Sequence, residues 1–192
     1  MTYTVTRRED QDVNIWSGGK TIQLFLHPHQ SSYTRRDFLV RVSSATVEQD
    51  TSDFTSLPGF HRILMPLSGT IKLVYEGHGE TLIKPYETAE FDGGWNTVSH
   101  GKCTDIGIML AQGWQGSLTA AGQGAYSCKE GFTGVYALAD HVKLDVNSGG
   151  ESFSQVLAQG DFFLIETASS EAAFTLSTSA ALGAIITHVW QG

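Results

Sequence analysis

Two arginines stand where a β-strand would bury its side chains, in Val40-Arg41-Val42 and in Arg62-Ile63-Leu64. A guanidinium keeps its charge near neutral pH, so one held on the inner face of a strand must be answered by carboxylates, carbonyls or an anionic ligand. No arginine follows Arg62 in the chain. Strand alternation puts Arg41, Ser43 and Ala45 on one face and Val40 and Val42 on the other. If the first face lines a barrel interior, a second strand brings Arg62, a third brings Gln23, and the run 103–109 brings Asp105 with Cys103 and Gly107 beside it. Guanidinium, amide, hydroxyl and carboxylate groups in a mostly apolar barrel mouth are the usual make-up of a small-molecule site. An arginine pair suits a carboxylate, which it grips through paired hydrogen bonds. The expected ligand-binding residues are therefore Gln23, Arg41, Ser43, Arg62 and Asp105. The competing structural reading pairs Arg41 with Asp105 or Glu48 and has Arg62 tie down the Pro58-Gly59 turn.

Other chemistry is less well supplied. Metal sites on small β-barrels use two histidines one residue apart on a strand, a carboxylate a few residues on, and a third histidine from a later strand. The only histidine pair so spaced is His27-Pro28-His29, where proline ends the strand and both imidazoles are expected to point into solvent. His61 stands alone, and His78, between Gly77 and Gly79, reads as a hairpin tip. No metal and no cofactor are expected. There is no G-x-S-x-G elbow, and Cys103 and Cys128 lack any neighbouring activating group. The passages Gly122-Gln123-Gly124 and Ser148-Gly149-Gly150 lack the lysine and helix of a phosphate loop. Trp16, Trp95 and Trp114 read as core or barrel-lid residues.

The elements that must hold these groups are strands. Short alternating runs separated by Gly-, Ser- or Asn-containing turns recur throughout, with no long capped helical pattern. The clearest are 21–27, 38–48, 62–67, 70–75, 81–84, 88–91 and 103–111. After a glycine-rich passage holding Gly113, Gly116, Gly122 and Gly124, runs resume at 134–138, 142–146, 153–157, 161–166, 173–177 and 182–189. Two batches of short strands suit two small antiparallel barrels. Expected domains are an N-terminal barrel over 1–112 and a C-terminal barrel over 113–192, packed as one compact unit. Gly160-Asp161 before a hydrophobic strand fits a barrel turn or a plain surface turn equally well.

Composition narrows the partners. The chain has 192 residues, 41 % hydrophobic and 17 % charged, with 12 basic against 20 acidic side chains and a formal charge of -8. That balance disfavours nucleic acid and anionic membranes unless a basic patch overrides it. The basic doublets Arg7-Arg8 and Arg35-Arg36 sit beside acidic residues and read as solvated surface. The N-terminus lacks the apolar run of a signal peptide, and no uninterrupted apolar stretch would cross a bilayer, so a cytoplasmic protein with free thiols is expected.

Several segments carry a resemblance. The run Asn14-Ile15-Trp16-Ser17-Gly18-Gly19 with Thr21 and Gln23, then Asp37-Phe38, Arg41-Val42-Ser43-Ser44-Ala45, Phe54-Thr55-Ser56-Leu57-Pro58-Gly59, Arg62, Gly69, Phe91 and residues 105–109 are similar to the HutD/Ves family of two-barrel cupins. The likeness is close over the first 110 residues or so and diffuse afterwards. It departs from the family at Ser17, usually asparagine, and at Asp105-Ile106-Gly107, usually Asp-Phe-Asn. The resemblance implies an all-β, RmlC-like bicupin, two double-stranded β-helix (jelly-roll) barrels in one chain, in a bacterial cytoplasmic protein. It also implies a regulatory link to histidine utilisation and a small pathway acid as ligand, with formylglutamate or urocanate leading. Binding of a small carboxylate metabolite in a sensing role is thus the expected function. The alternatives are a metal-independent isomerase, lyase or hydrolase in which Asp105 or His61 moves a proton, and an interaction module with a filled barrel. Cupin edge strands often pair between subunits, which makes a homodimer compatible with the fold.

Overall fold

In the computed structural model, which describes residues 1–168 and 172–192, the chain is built of β-strands with one 3-10 turn at Arg8–Asp10 and no α-helix among the described residues. It divides into two compact units, Asp12–Trp114, and Met1–Gln11 together with Gln115–Gly192. Each is a pair of antiparallel sheets, the jelly-roll arrangement of a cupin barrel.

In the first unit a six-stranded sheet runs in the order Asp12–Trp16, Gly19–His27, Val40–Val47, Cys103–Ala111, Phe60–Ser68, Ala89–Asp92. The second sheet has the order Thr51–Asp53, Thr97–His100, Ile71–Tyr75, Gly79–Ile83. Ile71-Lys72-Leu73-Val74-Tyr75 shows why the two pack together: Ile71, Leu73 and Tyr75 alternate inward and are buried, while Lys72 and Val74 are only half-buried. They meet Leu64, Ala89, Phe91 and Cys103 from the larger sheet in one apolar cluster. Each large side chain so buried contributes about 1.5–3 kcal/mol. The turn at Gly69 brings backbone so close that a Cβ would lie 2.2 Å from the Lys102 carbonyl oxygen, and its φ of +77° belongs to glycine.

Register decides which side chains share a face. Met109 lies opposite Arg41 on one side and Arg62 on the other; Gly107 lies opposite Ser43 and Leu64; Asp105 lies opposite Ala45. A bulge between Gln23 and Phe25 absorbs one residue of Gly19–His27, which leaves Gln23 opposite Ser43.

The second unit sets Thr2–Thr6, Phe162–Thr167, Gly131–Ala137, Ala184–Gln191 and Trp114–Ala121 in one sheet, and Gly124–Cys128, Ala172–Ser177, Val142–Ser148 and Glu151–Leu157 in the other. Its core holds Val135, Val142, Leu144, Leu157, Phe163, Ile165, Phe174 and Leu176.

Several sequence expectations change here. Residues 1–11 join the second unit, because Thr2–Thr6 pairs along Phe162–Thr167 and Gln11 donates to the Gly160 carbonyl at 2.7 Å. Arg7 is more than a solvated surface charge: its side chain, still 40 % exposed, places Nη1 2.6 Å from Asp161 Oδ2. Asp161 is 1 % exposed and also accepts from the N–H groups of Arg8 and Ala158, so Gly160-Asp161 is an anchored barrel turn. The glycine-rich passage is not a break: it holds strands Trp114–Ala121 and Gly124–Cys128. Asp12–Trp16, Thr51–Asp53 and Thr97–His100 are further strands of five residues or fewer, too short for periodicity to mark them.

Candidate functional site

Within the first unit the two sheets part around a cavity of about 600 Å³. All five expected residues, Gln23, Arg41, Ser43, Arg62 and Asp105, line it. Period-two alternation explains the common face: Arg41, Ser43, Ala45 and Val47 from one strand meet Asp105, Gly107 and Met109 from the next. Ser43, Ala45 and Gly107 keep the middle of the floor low.

Arg41 is 6 % exposed and Arg62 is 5 % exposed, yet neither makes an ion pair among the described residues. The Arg41 guanidinium lies 4.4 Å from the centre of the Tyr33 ring, and its Nε donates to Gln23 Oε1 at 3.5 Å. Arg62 donates through Nη2 to the Thr55 carbonyl and lies over the Phe54 and Phe91 rings at 5.4 and 6.0 Å. Its Nε is buried and has no hydrogen-bond partner among the described residues. Burial draws the pKa of both guanidiniums down, Tyr33 opposes this at each, and the Arg41 charge adds to it at Arg62. The contacts these two like charges make are with aromatic faces and neutral oxygens; of the carboxylates lining the same cavity, Asp12 and Asp53 are exposed and Asp105 is buried.

Asp105 stands apart. It is 6 % exposed, accepts from the Cys103 thiol at 3.7 Å, and is further helped by the Ala45 N–H. Burial outweighs both and pushes its carboxyl up to about 7. The same burial, with the neighbouring Asp105 charge and hydrogen bond, raises the Cys103 thiol to about 12, so it is no nucleophile near neutrality.

Several candidate roles are corrected by this geometry. Arg41 pairs with neither Asp105 nor Glu48. Arg62 holds the Thr55 carbonyl rather than the Pro58-Gly59 turn itself. His61 faces away from the cavity, as its position next to Arg62 requires, and sits exposed 3.0 Å from Glu90. His29 is exposed as expected, but His27 is half-buried, its ring 5.2 Å from that of Trp114. Trp16 lines the cavity and donates from Nε1 to Thr21 Oγ1 at 3.2 Å. Tyr33, Phe54 and Phe91, the aromatic companions of the arginines, escaped sequence reasoning. Of these only Phe91 lies in a strand; Tyr33 and Phe54 come from connecting segments without periodicity.

Comparison with known structures places the fold. The chain is similar to a conserved protein of unknown function from Pseudomonas aeruginosa PAO1, PA5104, with a TM-score of 0.83 at 18 % identity over 98 % of this chain and 99 % of that one. It is similar to HutD from Pseudomonas fluorescens SBW25, with a TM-score of 0.77 at 18 % identity over the whole of both chains. An oxalate decarboxylase of Bacillus subtilis with Mn(II) centres matches with a TM-score of 0.65 at 5 % identity over 97 % of this chain and 76 % of that one. A metal centre of that kind does not fit here: among the described residues no three His, Cys, Asp or Glu side chains come together as a donor set. Among them, too, no helix is long and apolar enough to cross a membrane. No curated protein matches the chain. The family model described as HutD matches residues 8–184, nearly the full length, and the chain therefore belongs to the HutD family.

Proposed function

We propose that the cavity of the first unit binds a small carboxylate metabolite, with Arg41 and Arg62 as the anion-holding pair and Gln23, Ser43 and Asp105 completing the site. The observation that carries this reading is a pair of buried guanidiniums without a carboxylate partner among the described residues. Leaving two such charges without a counter-ion costs several kcal/mol per ion, and a bound carboxylate would answer them. A volume of about 600 Å³ lies within the range of metabolite pockets and speaks against an interaction module with a filled barrel. Family membership favours an acid of histidine breakdown, formylglutamate or urocanate, and a role as sensor or buffer of that acid.

The test is a thermal-shift and calorimetry panel of formate, urocanate and formylglutamate against the wild type and the double variant Arg41→Met, Arg62→Met. Methionine keeps the volume and removes the buried charges, so the variant is expected to fold. A ligand at a hundred times its Kd stabilises the wild type by about 2.7 kcal/mol. A folded double variant that keeps the full shift refutes the assignment.

One observation favours a second reading, a metal-independent enzyme. Asp105 is not held down by an arginine, and its carboxyl titrates at about 7, where a general acid or base works best. Accumulation of product from any acid in the panel, lost in Asp105→Asn, would establish it in place of the sensor.

A further inference from the structure

The cavity has two chemically unlike ends. Arg41, Met109 and Arg62 form one cross-strand row, Ser43, Gly107 and Leu64 the next, and Ala45 with Asp105 the third. Four residues of extended strand separate the arginine row from Asp105, about 13 Å between backbones. Among the described residues no cation acts on Asp105, which has a thiol and one backbone N–H as its partners. Around that end the lining is Thr21, Ala45, Val47 and Trp16, with Asn14 on the adjoining edge strand. The Thr21 hydroxyl oxygen is already engaged by Trp16. An ionised carboxylate has about four acceptor positions, so Asp105 in its charged form is a buried acceptor that its own surroundings leave largely unused.

Resting on the carboxylate reading above, the geometry points to an elongated ligand whose carboxylate lies at Arg41 and Arg62 and whose far end carries an N–H donor received by Asp105. Burial that lifts Asp105 to about 7 measures how little the protein alone does for its charge. An incoming N–H, above all a cationic one, supplies what is missing, and a second carboxylate at the same place meets a like charge instead. Arg41 is held between Gln23 and the Tyr33 ring, so the backbone separation is taken as the span between the two poles. Allowing about 2.9 Å for a hydrogen bond at each end, the ligand spans about four to six bonds between its polar groups. Gly107 and Ser43 leave the floor clear for that connecting chain.

Three probes of matched length test this by calorimetry on the full chain at pH 8, where Asp105 is ionised: pentanoate, 5-aminopentanoate and adipate. The inference expects 5-aminopentanoate to bind about tenfold or more tightly than pentanoate, and adipate more weakly than 5-aminopentanoate. In Asp105→Asn the ratio of the 5-aminopentanoate and pentanoate affinities falls toward one. Equal binding of pentanoate and 5-aminopentanoate by the wild type, adipate binding as tightly as 5-aminopentanoate, or a ratio undiminished in the variant overturns the Asp105 subsite and leaves the arginine site standing. Failure of all three acids to bind the wild type overturns the elongated ligand, and the carboxylate reading falls with it when formate, urocanate and formylglutamate fail too. Should the asparagine variant not fold, the order of the three acids on the wild type decides alone.

Discussion

Replacing Asp105 by asparagine removes a proton that the folded chain holds and the unfolded chain has lost. Unfolded, the carboxyl titrates at its ordinary 3.8; in the cavity floor, burial moves it to about 7. Between those values the native state binds more protons than the unfolded one, so stability falls as pH rises through the interval and levels off above it. Each pH unit of the interval corresponds to about 1.4 kcal/mol, and the whole of it to about 4 kcal/mol. Asparagine keeps the shape, offers an oxygen to the Cys103 thiol and the Ala45 N–H, and does not titrate. Urea unfolding of both proteins without ligand at pH 4, 6 and 8 measures the effect as a difference. His188, whose pKa burial lowers, and Asp161 titrate alike in both proteins and cancel. The stability of the variant relative to the wild type is expected to rise by about 4 kcal/mol from pH 4 to pH 8. A difference flat to within about 1 kcal/mol, beyond the uncertainty of extrapolation, refutes the idea of a carboxyl buried without a cation.

Asp161→Ala leaves the Arg7 guanidinium and the N–H groups of Arg8 and Ala158 without their acceptor, at an expected cost of about 3 kcal/mol. Denaturant unfolding reads the loss, and hydrogen exchange places it in Thr2–Thr6. Burial pushes the Asp161 carboxyl up, but Arg7 and the two N–H donors outweigh it and hold it below 3.8. Its contribution is therefore full above that pH and lost as pH falls through the depressed folded value, and a cost unchanged at acid pH would contradict this. Gly107→Asn places a Cβ 3.3 Å from the movable Leu64 Cδ1 and 3.4 Å from the Ile63 carbonyl, so the variant is expected to fold at a cost of about 1 kcal/mol. Its amide occupies the cavity floor between the two poles, so calorimetry should find 5-aminopentanoate weakened more than formate; equal effects on both argue against a ligand stretched over Gly107.

Much of the site was legible because strand alternation is local. Arg41, Ser43 and Ala45 had to share a face, and the expense of a guanidinium there marked that face as a site. His61 was misweighed although the same rule turns it away from Arg62. The partnership of Arg41 could not be read. Asp105 lies on the neighbouring strand and on the right face, but four residues away in register, and register belongs to the pairing of strands rather than to either strand alone. Tyr33 and Phe54 reach the arginines from connecting segments, where no periodicity predicts a direction. Thr2–Thr6 shows the same limit for the fold: most of its side chains are exposed, so its place at the edge of a distant sheet rests on backbone hydrogen bonds and on the Arg7–Asp161 anchor.

By itself the sequence determined that this is an all-β chain, that arginine, amide, hydroxyl and carboxylate groups face one interior, and that the first half is similar to HutD proteins. Alternation, turn residues and motif spacing are properties of short segments, and they survive without knowledge of what packs where. Tertiary structure alone decided that neither guanidinium makes an ion pair among the described residues, that the carboxyl lies four residues along the strand from the arginine row, and that the first eleven residues complete the other barrel. Those facts depend on distances between segments far apart in the chain, which are set only when the strands pair in register and the sheets close over their core.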